Sequence, residues 1–172
     1  MSEIKEIIIP KERAVFRLDQ NGCWRNAHGK FRKKSIIDHF HASIRKDKDG
    51  YYLTQFNGDI REKVYFPYED TVFFVTDVRK GEGEIRLLLN TKEEIPLAPE
   101  KLSVQKDNLY IQEKVQGSEE RIRFCERALL KLSAHIGFEK GQYYFEDKER
   151  KTAIPTVSET VSETESGIPR TD

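Results

Sequence analysis

Cysteine is scarce: two in 172 residues cannot build a disulfide framework, and a reducing cytoplasm is the expected compartment. An excess of charge of either sign is missing too. Thirty Lys and Arg balance thirty Asp and Glu, and general DNA, RNA or membrane-surface binders need a basic surplus, so neither partner class is expected. No apolar run approaches the ~20 residues that span a bilayer. The apolar stretch within Met1–Pro10 is too short for a signal peptide. Metal-ligand spacing is absent, because His39 and His41 fall on different faces of a predicted helix. Cys23, Cys125, His28 and His135 form no Cys-x-x-Cys or His-x-x-x-His pair. A nucleophile elbow, a P-loop and a dinucleotide fingerprint are all lacking, so no cofactor is expected and no specific enzyme class is indicated.

What is present is a globular composition. Apolar residues make up 37% of the chain, with ten Phe, seven Tyr and one Trp to fill a core, and 35% of residues are charged. Ala14–Leu18 alternates like a strand, Asp19-Gln-Asn-Gly22 is hairpin-turn chemistry, and Cys23–Asn26 returns. Ser35-Ile-Ile-Asp38 fits a capping box opening a helix with Ile36, Ile37, Phe40 and Ile44 on its apolar face. Tyr51–Phe56 reads as a strand, followed by Val64–Phe66, Thr71–Val78, Glu84–Leu89, Ile95–Ala98, Leu102–Gln105 and Leu109–Val115. The spacing of Ile122, Cys125, Leu129, Leu132 and Ile136 predicts a second helix from Gly117-Ser118 to Gly137. Gln142–Phe145 is a last strand, and from Glu146 on there is no aromatic residue.

Two stretches echo one another. Phe16–Trp24 can be laid on Leu102–Tyr110, each a strand, an Asx turn and a strand with an aromatic, and each leads to a helix and an aromatic strand. Identity is too sparse to decide duplication. The expected fold is α+β, two small subdomains with a repeated ββαβ-like motif. Residues 1–12 form an N-terminal extension, 13–66 and 67–148 the subdomains, and 149–172 a disordered tail rich in Ser, Thr and Glu.

Asp19-Gln-Asn-Gly-Cys-Trp24, Ile36–Phe40, Lys48–Leu53, Glu62-Lys63, Tyr68-Glu-Asp70, Asp77-Val78, Gly81-Glu-Gly83, Leu89-Asn90 and Glu93–Leu97 occur in an order and spacing that mark a family. Over roughly residues 13–146 the chain resembles the bacterial family of uncharacterised proteins called domain of unknown function 1285. The resemblance implies a two-part α+β fold with repeated motifs, the second part like a pleckstrin-homology barrel closed by a C-terminal helix. It also implies a nucleotide-like ligand at the junction and a role in signalling. The chain departs from the family pattern at Thr54–Asn57, where a Thr-Pro pair is usual, and at Leu88, where an Arg is common.

Between Asp19 and Asp38 no acidic residue occurs, while Arg25, Lys30, Arg32, Lys33 and Lys34 do, just before a helix start that favours anions. The functional reading is an anion pocket with Trp24 as a stacking face; the alternative is a solvated basic turn over a core tryptophan. Glu62, Glu69 and Asp70 flank a short strand and read either as an acid–base pair or as surface ion pairs. Asn90 ends a buried strand and either contacts a ligand or holds a turn. The leading expectation is a non-enzymatic binding or sensor module for a small anionic, nucleotide-like ligand at the subdomain junction. Its candidate site is Trp24, Arg25, Lys30, Arg32, Lys33, Lys63, Asp70 and Asn90. A protein-interaction module using a strand edge or the tail is the second reading, and an enzyme the third.

Overall fold

A computed structural model describes residues 3–148 and 150–158. The first half contains β1 (Lys5–Ile9), β2 (Phe16–Leu18), β3 (Trp24–Asn26), β4 (Gly29–Lys30), α1 (Lys34–Ala42), β5 (Arg45–Asp47), β6 (Gly50–Asn57) and β7 (Ile60–Tyr65). The second contains β8 (Phe74–Lys80), β9 (Ile85–Leu89), β10 (Glu94–Pro96), β11 (Leu102–Gln105), β12 (Asn108–Val115) and β13 (Ser118–Phe124). It ends with α2 (Glu126–Leu132), β14 (Ile136–Glu139), β15 (Gln142–Asp147) and β16 (Arg150–Ile154). The protein is α+β and mostly strand. An order of three antiparallel strands, a helix and three antiparallel strands occurs twice, as β2-β3-β4, α1, β5-β6-β7 and as β11-β12-β13, α2, β14-β15-β16.

Between the two repeats lie β8, β9 and β10. They join β11–β13 in a six-stranded sheet of order β10-β9-β8-β13-β12-β11, whose one parallel pair is β13 with β8. Among the described residues this sheet is open, so the expected barrel is not formed by its hydrogen bonds. Its two edges are protected differently: β10 carries Pro96, which cannot donate, and β11 is covered by residues 155–157, with Val157 N–H donating to the Val104 carbonyl at 2.7 Å.

Three expectations shift. The N-terminal extension is not outside the fold, because β1 pairs in parallel with β7 from Lys5↔Ile60 to Ile9↔Val64. The tail is not disordered from 149, since β16 pairs with β15 and buries Ile154 completely; residues 159–172 lie outside the described residues. The long second helix is a strand followed by a short helix. Gln116 and Gly117 both have positive φ (53° and 83°), the twist a two-residue hairpin needs, so the chain returns as β13 with Glu120, Ile122 and Phe124 inward. Helical spacing was mimicked by one buried residue of β13, Ile122, followed by the α2 face. The capping box is also absent: Lys33 occupies the N-cap without a side-chain bond, and Asp38 instead accepts from Lys34 at 2.8 Å.

One continuous core runs through both halves, from Phe16, Trp24 and Phe66 to Phe73, Phe74, Leu87, Ile111, Ile122 and Phe145. Val72–Val75 is buried throughout, as its unbroken apolar run predicts. Among the described residues no helix is long and apolar enough to cross a membrane.

Candidate functional site

β13 alternates, so with Glu120, Ile122 and Phe124 inward, Arg121 and Arg123 share the opposite face. Arg121 stands over the ring of Tyr110, its guanidinium carbon 3.8 Å from the centroid, and donates to Gln105 Oε1 at 2.5 Å. Arg123 donates to Asn108 Oδ1 at 3.0 Å. Asp70, on the segment that crosses from the first half to the second, joins the two. It accepts from Arg121 Nη1 at 2.9 Å, Arg123 Nη1 at 3.1 Å and the Tyr110 hydroxyl at 2.7 Å.

Burial alone would raise the Asp70 carboxyl, but the Tyr110 hydroxyl and the two guanidinium groups outweigh it and hold Asp70 below the ordinary carboxylate range. The Tyr110 hydroxyl is pushed up by burial and by that carboxylate. These groups line a cleft of about 490 Å³ together with Gln20, Glu69, Gln105, Lys106, Val157 and Ser158. Glu69 is tied back by the Gln20 backbone N–H at 2.8 Å. Three cationic side chains, Lys106, Arg121 and Arg123, and two carboxylates, Glu69 and Asp70, line the cleft.

Of the residues expected from the sequence, the structure brings only Asp70 into this cleft. Trp24 is 1% exposed and packs edge-to-face on Phe16, Phe40 and Phe66, so it is core and offers no stacking face. Arg25 is engaged by Asp19 at 2.7 Å; burial opposes the Asp19 charge, but Arg25 and the N–H groups of Cys23 and Asn21 hold its carboxyl low. Lys30, Arg32 and Lys33 are exposed and line no part of the cleft. Lys63 is engaged by Asp47, which also accepts from the Tyr65 hydroxyl at 2.7 Å; the Asp47 carboxyl is lowered to about 2 by the Lys63 and Tyr65 donors. Asn90 is a buried bolt. Its Oδ1 accepts from Phe74 N–H at 3.0 Å, and its Nδ2 donates to the Val72 carbonyl at 3.1 Å and contacts His41 Nδ1 at 3.1 Å.

The residues that sequence reasoning missed are Tyr110, Arg121 and Arg123. On a helix, positions 121 and 123 diverge; on a strand they align, and the signal was the alternation Glu120, Ile122, Phe124 after a Gln-Gly turn. No metal-binding group of three or more His, Cys, Asp or Glu occurs among the described residues.

No family model matches the sequence, and no curated protein matches it. Among solved structures, the fold is similar to that of a DUF1285 family protein from Silicibacter pomeroyi, with a TM-score of 0.58, 14% identity and coverage of 94% of this chain and 87% of that one. A DUF1285 family protein from Shewanella baltica matches with a TM-score of 0.44, 11% identity and coverage of 65% and 84%. The class the comparison defines is a fold, the α+β arrangement found in a DUF1285 protein. The chain resembles that family in architecture.

Proposed function

We propose that this chain is a non-enzymatic binding or sensor module for a small anion, nucleotide-like in class, held in the cleft around Asp70, Arg121 and Arg123, with a role in signalling. The single observation that carries the reading is the pair of guanidinium groups oriented by one carboxylate. A guanidinium has about five N–H donors. Asp70, Gln105 and Asn108 take two from each arginine here, so several remain for an anion on a prepositioned fork. The Arg121–Tyr110 cation–π contact supports a planar group as part of the ligand. Reading the two repeats as subdomains, the second pleckstrin-homology-like, belongs to the same proposal and makes the cleft a subdomain junction.

A thermal-shift titration tests it with inorganic pyrophosphate and ADP. Ligand at ~100 times its Kd stabilises by about 2.7 kcal/mol and raises the melting temperature by several degrees. Arg123→Gln abolishes the rise, and a Lys30/Arg32/Lys33 triple alanine variant retains it. No rise with either probe at millimolar concentration defeats the proposal.

One observation favours protein interaction as the second reading: β1 is a sheet edge on which Ile8 is 60% exposed, and Ile4 just before it is 64% exposed. Ile8→Lys then removes a partner captured by the native chain.

A further inference from the structure

We propose that a second cleft, walled by tyrosines in the first half, binds a small organic cation carrying a trimethylammonium head, choline-like in class. This cleft measures about 490 Å³ and lies beneath the segment Ile8–Glu12. Its walls are the rings of Tyr51, Tyr65 and Tyr68. Tyr51 and Tyr68 pack edge to face, with centroids 5.3 Å apart and planes at 90°, so two aromatic rings stand at a right angle beside the cleft.

The corner is held from behind. Tyr51 donates its hydroxyl to the buried Glu120 at 2.5 Å, and Tyr65 donates to Asp47 at 2.7 Å. Each bond fixes a ring, and donation to a carboxylate enriches the ring's electron density, which strengthens its attraction for a cation. The rings already show this preference within the chain: Lys46 Nζ stands 5.1 Å from the Tyr51 centroid and Lys63 Nζ 5.5 Å from that of Tyr65.

Charge at the rim points the same way. Glu12 and Asp49 line the cleft against one cation, Lys11. Their carboxylates enter no ion pair among the described residues. Rings that attract a cation by their faces suit a quaternary head. The methylated group has no N–H to satisfy and gives up little hydration on entry. Tyr68 is the open wall, 44% exposed, and its hydroxyl makes no hydrogen bond among the described residues, so it can be altered without unpicking the fold.

The test is a titration of the full ¹⁵N-labelled chain followed by the amide resonances of residues 49–51 and of Tyr65, Phe66 and Tyr68. Choline chloride is expected to shift them saturably in the millimolar range. Its neutral isostere 3,3-dimethyl-1-butanol, equal in shape and lacking the charge, binds at least tenfold more weakly. Tyr68→Phe keeps the affinity within twofold, because the ring face is retained, and Tyr68→Leu weakens it about tenfold. The proposal is overturned if choline gives no saturable shift, if the neutral isostere matches it, or if Tyr68→Leu binds like the native chain. Because Arg123→Gln lies in the other cleft, it leaves choline binding unchanged.

Discussion

His41 Nδ1 is approached by two donors at once, Trp24 Nε1 at 3.2 Å and Asn90 Nδ2 at 3.1 Å. The Asn90 amide is oriented by backbone partners on both of its ends, so its nitrogen faces the imidazole. His41 is therefore neutral there, its proton on Nε2. Burial pushes its pKa down from 6.5 to about 4, despite the opposing charge of Asp38 and assisted by Lys92. Below pH 6.5 the unfolded chain takes up a proton that the folded chain refuses, so stability declines as pH falls from 6.5 to about 4 and levels off below. The full loss is about 3 kcal/mol at 1.36 kcal/mol per pKa unit. Urea midpoints at pH 7 and pH 4.5 read it, and His41→Gln flattens the slope in that window. Asn90→Ala leaves the Phe74 N–H unpaired in the core and costs about 2–3 kcal/mol. At Asp70, substitution by Asn deprives Arg121 and Arg123 of their shared counter-charge and costs about 2–4 kcal/mol at pH 7. Because the Asp70 pKa lies below 3.8, that difference shrinks only as pH falls beneath it, which chemical denaturation at pH 3 and pH 7 will show.

At the scale of elements, legibility followed local chemistry. The strands β6, β11 and β12 were readable because strand-like residues and turn residues reinforced each other, and Val72–Val75 and Leu87–Leu89 because an unbroken apolar run reads as a buried strand. Segment 118–136 was not. Apolar residues at steps of three and four satisfy a helix, yet the positive φ of Gln116 and Gly117 commits the chain to a hairpin first, and tertiary pairing with β12 and β8 overrides the period. That error concealed the arginine pair, and with it most of the site. β16 was unreadable for a different reason: Arg150-Lys-Thr-Ala-Ile154 is too polar to signal a strand, and it folds because β15 supplies its hydrogen bonds. A chain ending at Lys148 is expected to be at least ~3 kcal/mol less stable than one ending at Ser158, since fully burying an Ile side chain contributes about 1.5–3 kcal/mol and the ladder is lost as well. Thermal denaturation of the two truncations checks this.

Across the whole molecule, the two halves are fastened by a buried carboxylate. Glu120 on β13 is 6% exposed and receives Lys46 Nζ at 3.0 Å, Ser118 Oγ at 3.0 Å and the Tyr51 hydroxyl at 2.5 Å. Glu120→Ala leaves the Tyr51 hydroxyl without its acceptor and the exposed Lys46 without its partner, and is expected to cost about 1–3 kcal/mol. Trp24 is the single tryptophan and sits in the first half, so its fluorescence reports that half while far-UV circular dichroism reports every strand. In the native chain the two signals coincide; in Glu120→Ala they separate, the first half melting earlier. Coincident transitions in the variant would mean that the core alone couples the halves.

The parallel ladder between β1 and β7 sets an order of events at birth. β1 leaves the ribosome before its partner, which is encoded some fifty-five positions downstream, Lys5 opposite Ile60. At synthesis rates of about 5–20 residues per second, Ile7 and Ile8 wait seconds for a mate. β1 is thus made well before it can dock, and nascent copies on neighbouring ribosomes have that interval in which to find each other.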